Sequence, residues 1–225
     1  MKRIPFFVIL NMEIPERIHH VVESMKMYPY DEFVIINAVI PKTINSFIIS
    51  KRINIEKGNY QSRKLACYLS HYKALYQIVS FGIPDAIIIE DDFVLNKDYI
   101  KDIENVKSEI PENTDVVRLY SVGNIIPIQD KKYIGKVDRW GDVGNYVTRK
   151  GALLLLDFFK NIKYEQKFNG VIPNDFLLTE LGEKNKITIF NSIKKIVDTE
   201  GDVEIDKFRR LGTTIHHSIE MMEIR

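Results

Sequence analysis

The stretch Ala86-Ile87-Ile88-Ile89-Glu90-Asp91-Asp92 decides the fold class of this 225-residue chain. Its three consecutive isoleucines predict a short strand that is buried on both faces, as strands of parallel sheets are. Three carboxylates follow at once, and they are costly there because ionised groups resist burial and repel one another. A bound divalent cation offsets that cost, and Mg²⁺ and Mn²⁺ favour carboxylate oxygens. The stretch therefore predicts either a metal site at the mouth of an α/β sheet or a solvated acidic turn.

Strands and helices alternate along the rest of the chain. Residues 6–10 and 33–36 predict strands on either side of a helix at 16–25, which is the β-α-β unit of a parallel sheet. Apolar spacing over 64–80 predicts the best helix, which leads directly into the acidic strand. Further helices are predicted at 99–109, 149–159 and 175–181, and further strands at 116–120, 144–148 and 187–190. We expect an α/β fold with a mostly parallel central sheet flanked by helices.

Two stretches lack a clear helical or strand pattern. Residues 41–62 are polar and irregular, and we expect a loop with room for short helices. Residues 121–136 contain Gly123, Pro127 and Gly135, which indicate a loop or a hairpin. Long loops in a compact domain often carry function.

Composition narrows the function classes. The chain has 32 basic and 31 acidic residues, and this balance gives no case for nucleic-acid binding. Its single cysteine, Cys67, excludes an intramolecular disulfide and a cysteine-rich zinc site. No apolar run approaches the roughly 20 residues of a membrane helix, and the apolar N-terminus is interpreted as a strand instead of a signal peptide. We expect a cytoplasmic protein, with peripheral contact at a membrane surface left open.

The residues before the acidic strand indicate a protein family. Cys67-Tyr68-Leu69-Ser70-His71, followed by the strand that ends in Glu90-Asp91-Asp92, closely resembles glycosyltransferase family 25. That group contains bacterial lipooligosaccharide galactosyltransferases and procollagen galactosyltransferases. Its pattern is Gly-Cys-x-x-Ser-His followed by a strand ending in Glu-Asp-Asp, and this chain has Ala66 in place of the glycine.

Three other segments match the family in the same order, across roughly residues 6–180. They are Val8-Ile9-Leu10-Asn11 with Glu16-Arg17, the segment from Trp140-Gly141 through Tyr146 to Ala152, and Pro173-Asn174-Asp175. The last 40 or so residues match nothing in the family.

The resemblance implies a Rossmann-like A-type glycosyltransferase fold and a single domain over residues 1–225. About 1–120 would be the nucleotide-sugar-binding half, and about 121–225 the acceptor-side half and tail. The implied activity is a metal-dependent, inverting transfer of a sugar, with galactose as the candidate, from a UDP-sugar to a hydroxyl of a glycan or hydroxylysine acceptor. The implied cofactor is Mn²⁺ or Mg²⁺.

The resemblance and the residue chemistry together assign candidate roles. Metal ligands are predicted at Asp92, Glu90 and His216; donor contacts at Asn11, Arg17, Ser70, His71, Glu90 and Asp91; and the catalytic base at Asp175, with Asp142 as the alternative. Five of these residues also have a plainer interpretation: Asp175 as a helix-start acid favoured by the dipole, Arg17 and His216 as solvated side chains, and Ser70 and His71 as packing residues.

Two other function classes remain as alternatives. One is a transferase-like domain that binds a sugar or a partner without turnover, which the intact Glu90-Asp91-Asp92 disfavours. The other is a Mg²⁺-dependent phosphotransfer or nucleotidyl enzyme, which would need a glycine-rich phosphate loop near an early strand; the sequence has none. A serine or cysteine nucleophile is rejected because Ser70 and His71, as helical neighbours, do not face each other.

Overall fold

The computed structural model describes residues 3–28, 32–120, 125–137 and 144–199. The helices in these ranges are α1 (Pro15–Met27), α2 (Ile44–Lys51), α3 (Ser62–Ser80), α4 (Tyr99–Glu109), α5 (Arg149–Phe159) and α6 (Asn174–Glu183). The strands are β1 (Phe6–Leu10), β2 (Phe33–Asn37), β3 (Asn54–Ile55), β4 (Asp85–Glu90), β5 (Phe93–Leu95), β6 (Val116–Arg118), β7 (Ile125–Pro127), β8 (Ile134–Val137), β9 (Gly144–Thr148), β10 (Asn161–Ile162), β11 (Ile189–Ser192) and β12 (Val197–Thr199).

The main sheet has eight strands in the order β2-β1-β4-β9-β6-β11-β8-β7. Strands β1 and β2 pair in parallel, as the β-α-β pattern predicts, and β1 also pairs in parallel with β4. Strand β9 is antiparallel to both of its neighbours, and β8 is antiparallel to β11 and β7. The remaining strands share one direction, so the predicted α/β class with a mostly parallel, Rossmann-like sheet is confirmed.

Helices cover both faces of the sheet. Helices α3, α5 and α6 supply apolar side chains to one core layer, and α1 and α4 supply them to the other. In β4, Ile88 packs in the first layer while Ile87 and Ile89 pack in the second, and each is at most 3% exposed. This alternation explains why the isoleucine run is apolar without interruption: both of its faces are buried.

Most predicted elements lie where the pattern placed them, and the differences are local. Residues 41–62 contain α2 and the short β3, and the described part of 121–136 forms the β7–β8 hairpin. The late strand begins at Ile189, two residues after its predicted start. Helix α6 begins at Asn174, and Pro173 occupies its N-cap with no side-chain capping bond.

Two broader expectations concern the whole chain. None of the helices in the described ranges has the length and apolar character of a membrane span. The assignment of residues 1–225 to a single domain with two functional halves stays a prediction.

Candidate active site

The acidic stretch lies where β1 and β4 end side by side. The two strands pair in parallel from Phe6 with Ile87 to Ile9 with Glu90, so their carboxyl ends meet at the same edge of the sheet. The backbone N–H of Asn11, one residue past β1, donates to Asp91 Oδ2 at 2.8 Å. This bond fastens the turn after β4 to the turn after β1, at the edge where open α/β sheets bind their ligands.

Arg17, in the first turn of α1, faces the two aspartates. Its Nη1 lies 3.2 Å from Asp92 Oδ2, and its Nε lies 3.8 Å from Asp91 Oδ1. The Arg17 side chain is about one-third exposed, at 34%, so its pairing is only partly shielded from solvent. The structure thus brings Asn11, Arg17 and the acidic stretch together, as the sequence predicts.

Burial makes Asp91 and Asp92 hard to ionise. Desolvation raises the pKa of both carboxyls above the ordinary aspartate value, and the charge of Glu90 raises it further. Arg17 lowers the pKa of both, but the net direction is upward. Asp92 Oδ1 is also buried with no hydrogen-bond partner among the described residues. A carboxylate oxygen in this environment suits a divalent cation, since the positive charge of the ion compensates for the hydration that burial removes.

The side chain of Glu90 contacts helix α3. Its Oε1 lies 3.0 Å from His71 Nε2 and 3.8 Å from Cys67 Sγ. Cys67 and His71 are four residues apart, so both side chains leave the same face of α3. The ligand atoms of these three residues lie within 4.8 Å of one another. This set of thiol, imidazole and carboxylate suits a softer ion such as Zn²⁺ better than Mg²⁺, which prefers oxygen.

Ser70 lies in the core beside this group and is 2% exposed. Its hydroxyl accepts from the backbone N–H of Val39 at 2.8 Å and donates to the carbonyl of Ala66 at 2.8 Å. Because the hydroxyl is buried and hydrogen-bonded to two backbone groups, we correct the assignment of Ser70 as a residue that contacts the sugar donor. The residue joins α3 to the segment after β2.

Asp175 lies across a cleft from Glu90. The cleft encloses about 180 Å³ and is lined by Lys64, Cys67, Tyr68, Glu90, Val171, Ile172, Pro173, Asn174 and Asp175. Asp175 Oδ1 accepts from the backbone N–H of Phe176 at 2.9 Å. Desolvation raises the pKa of Asp175, with a smaller contribution from Glu90, while the Phe176 N–H and Arg118 lower it. A carboxyl with a raised pKa at the wall of a cleft is a candidate general base.

Two predicted site residues lie outside the described residues. They are Asp142, the alternative base, and His216, the late metal ligand. Both stay predictions.

Comparison with known proteins fits this geometry. The model of glycosyltransferase family 25, described as an LPS biosynthesis protein, matches residues 4–178, which is most of the chain. The chain belongs to glycosyltransferase family 25. Its activity class is therefore glycosyl transfer, which requires a sugar donor and an acceptor. No curated protein matches the chain.

Solved structures offer only distant likenesses. A structure described as a glucose-1-phosphate thymidylyltransferase from Bacillus anthracis, in complex with sucrose, is 10% identical with a TM-score of 0.46; the match covers 96% of this chain and 98% of that one. HddC from Yersinia pseudotuberculosis, complexed with GMP-PN, is 12% identical with a TM-score of 0.43, covering 91% and 99%. Mouse xyloside xylosyltransferase 1 in its apo form is 10% identical with a TM-score of 0.41, covering 84% of each chain. At these scores the likenesses carry no conclusion about this family 25 chain.

The segment from Thr148 to Ala152, which resembles the family, packs helix α5 against the sheet. Gly151, in the first turn of α5, lies so close to β6 that an added Cβ would stand 2.2 Å from the carbonyl oxygen of Asp115. Thr148 caps the same helix by accepting from the Gly151 N–H at 3.0 Å. The Thr-Arg-Lys-Gly-Ala segment of this family 25 chain therefore seats α5 on the sheet.

Sequence reasoning missed a buried polar row beside the site. In the register of the sheet, Asn145 of β9 lies opposite Arg118 of β6, and Arg118 lies opposite Asn191 of β11. The three residues are between 1% and 4% exposed. The available signal was a charged or amide residue inside an otherwise apolar strand, as in Val116-Val117-Arg118-Leu119.

Proposed function

We propose that this family 25 enzyme is a metal-dependent, inverting glycosyltransferase that moves a sugar from a UDP-sugar to an acceptor hydroxyl. Galactose is the candidate sugar. The acceptor would be a glycan or a hydroxylysine, and the family's description as an LPS biosynthesis protein favours a glycan. The observation that carries the proposal is the partly buried acidic cluster at the adjacent ends of β1 and β4, in which a buried oxygen of Asp92 has no hydrogen-bond partner within the described part of the chain.

Asp92 and Glu90 would hold Mn²⁺ or Mg²⁺, with His216 as a further candidate ligand. When bound, such an ion neutralises the diphosphate of the donor and acts as a Lewis acid at the departing oxygen. Glu90 has a fixed place because His71 Nε2 lies 3.0 Å from its Oε1. His71 would therefore act by positioning Glu90 at the wall of the donor cleft.

The donor phosphates would contact Arg17, and the rest of the donor would contact Asn11 and Asp91. The guanidinium group of Arg17 matches the geometry of phosphate oxygens. It is already held between Asp91 and Asp92, at 3.8 Å and 3.2 Å. Arg17 would therefore keep a positive charge beside the acidic stretch while both aspartates stay in place.

Asp175 would remove the proton from the acceptor hydroxyl, with Asp142 as the alternative. Its raised pKa makes it a stronger base than an exposed aspartate, and the N–H of Phe176 holds its carboxylate in place at 2.9 Å. Asp175 and Glu90 line the same cleft, so the base and the donor-binding carboxylate would face one space.

Release of the nucleotide from a panel of activated sugars tests this proposal. We expect UDP release from a UDP-sugar in the presence of Mn²⁺, little release from GDP-mannose, and none when EDTA removes the metal. Asp92→Asn should lose the activity, whereas Asp157→Asn, which changes an exposed carboxylate on α5, should keep it. UDP release that is unchanged by EDTA and by Asp92→Asn would refute the metal-dependent mechanism.

A further inference from the structure

Cys67, His71 and Glu90 bring three different metal-binding groups together at the side of the donor cleft. The thiol, the imidazole and the carboxylate each offer one ligand atom, and these atoms lie within 4.8 Å of one another. Glu90 is a proposed ligand of Mn²⁺ and His71 positions it, whereas Cys67 has no part in the proposed transferase mechanism. Sulfur is a ligand that Mg²⁺ and Mn²⁺ do not favour, so the thiol sets this group apart from the site at Asp92.

The spacing of the three groups fits a tetrahedral ion. Bonds of about 2.3 Å to sulfur and about 2.0–2.2 Å to nitrogen and oxygen hold the ligand atoms of tetrahedral zinc roughly 3.4–3.6 Å apart. Glu90 Oε1 lies 3.0 Å from His71 Nε2 and 3.8 Å from Cys67 Sγ. Small rotations of the exposed Cys67 and the half-buried Glu90 would bring all three atoms to the spacing that zinc requires.

The backbone holds the ligands near one another before an ion binds. Cys67 and His71 are four residues apart on α3, so their side chains leave one face of the helix. Glu90 is the last residue of β4, and α3 packs against this strand. His71 is buried in that contact, which limits its movement. Ligands on a helix and a strand that already pack together lose little freedom when they bind an ion.

The cleft gives an ion a path to these ligands. Cys67 and Glu90 both line the cleft of about 180 Å³ that also contains Asp175, and Cys67 is exposed. Three protein ligands leave the fourth position of a tetrahedral zinc ion to a water molecule or to a ligand in the cleft. The open position would therefore face the space in which the donor is proposed to bind.

We propose that Cys67, His71 and Glu90 form a Zn²⁺ site, and that zinc bound there competes with Mn²⁺ for Glu90. Thiolate and imidazole ligands select zinc over Mn²⁺ and Mg²⁺, and Asp92 has no part in this set. The competition rests on the proposed function, which makes Glu90 a ligand of Mn²⁺, but the zinc site does not. Zinc would lower the affinity of the enzyme for Mn²⁺ and so act as an inhibitor.

Absorption spectroscopy of the full chain with Co²⁺ as the probe tests the site. Cobalt bound to a thiolate gives a charge-transfer band in the near ultraviolet, and Cys67 is the single cysteine of the chain, so the band reports this residue. We expect the band to saturate at one cobalt per chain and to disappear when Zn²⁺ displaces the cobalt. No band in excess cobalt, or saturation at one cobalt per two chains, would overturn the proposal.

Variants assign the ligands. Cys67→Ser and Glu90→Gln should each weaken cobalt binding at least tenfold, whereas His19→Gln, at an exposed histidine, should leave it within twofold. Unchanged cobalt affinity in Glu90→Gln would refute the site with three ligands. A further measurement needs no variant: zinc should slow the alkylation of Cys67 by iodoacetamide at least tenfold in the unaltered protein. An unchanged alkylation rate would contradict zinc binding by the thiol.

Electron paramagnetic resonance of Mn²⁺ tests the competition. One equivalent of Zn²⁺ should weaken Mn²⁺ binding at least tenfold more in the unaltered protein than in Cys67→Ser. Equal displacement of Mn²⁺ in the two proteins would refute competition through this site. Failure of the transferase proposal would appear separately, as absent Mn²⁺ binding in the zinc-free protein, and the cobalt band would still decide the zinc site.

Discussion

Asp92 is partly buried, lies next to two other carboxylates, and has one oxygen that no described residue hydrogen-bonds. Desolvation, Glu90 and Asp91 raise the pKa of Asp92, while Arg17 and a backbone hydrogen bond lower it. An acid whose pKa is higher in the folded state than in the unfolded state destabilises the fold at every pH above the folded value. That penalty disappears below the unfolded value, where both states are protonated. The metal-free protein therefore carries a stability cost at this residue.

Asp92→Asn should raise the melting temperature of the metal-free protein at pH 7, because it removes a charge that burial disfavours. We expect a rise of roughly 2 °C, which corresponds to under about 1 kcal/mol for a chain of this size. The gain should shrink as the pH falls through the raised pKa. Calorimetry in EDTA measures it, with Asp157→Asn as the control. A lower melting temperature at pH 7 would mean that the pair with Arg17 outweighs desolvation.

Asp175→Asn should lower kcat by about 10²–10⁴-fold, because the amide cannot take up the acceptor proton. UDP binding should stay within twofold. In the unaltered enzyme kcat should fall as the pH drops through the raised pKa of Asp175, that is, above the ordinary aspartate value of about 3.9. Steady-state kinetics over pH provide the measurement. A kcat within tenfold of the unaltered enzyme would return Asp175 to the role of a helix-start acid.

At the level of single residues, the sequence predicts where charged side chains cluster better than it predicts which residues a side chain contacts. The clustering of Glu90, Asp91 and Asp92 follows from chain order alone, so their site was predictable. The burial of Ser70 was less so, because a serine on a helix can face either the core or a cleft. Asn191 and Arg118 were missed because their burial depends on how β11 and β6 pair within the sheet, and sheet register cannot be read from local spacing.

At the scale of elements, helix α5 shows how a family motif serves packing. Thr148 caps the helix, and Gly151 lets its first turn approach β6 closely. The pattern of apolar residues predicted this helix at 149–159, and the structure has it at Arg149–Phe159. The closeness of the approach could not be predicted, because it depends on where β6 lies in the sheet. In a sequence, a glycine in the first turn of a helix can indicate such a close approach of the backbone.

Gly151→Ala should destabilise the protein, since the added Cβ would stand 2.2 Å from the Asp115 carbonyl oxygen and force α5 away from the sheet. Overpacking of this kind costs about 1–3 kcal/mol, or roughly 2–4 °C per kcal/mol in a chain of this size. Thermal unfolding checks it, and Leu153→Ala, which changes a half-exposed side chain of the same helix, is the control. An unchanged melting temperature for Gly151→Ala would show that α5 can shift at no cost.

At the scale of the whole molecule, the strand order assembles the site. Residues from β1, α1, α3, β4 and α6 meet at one edge of the sheet, although they span positions 11 to 175 of the chain. The alternation of strands and helices predicted the parallel part of the sheet. The insertion of antiparallel β9 between β4 and β6 was not predicted, because strand order depends on pairing between distant segments.

Titration calorimetry of UDP with and without Mn²⁺ tests whether the acidic stretch binds a metal ion together with the donor nucleotide. We expect UDP to bind at least tenfold more tightly with Mn²⁺, Asp92→Asn to abolish this difference, and Asp157→Asn to preserve it. UDP that binds equally well in EDTA, or that binds in neither condition, would contradict the assignment of the acidic stretch as a metal and donor site.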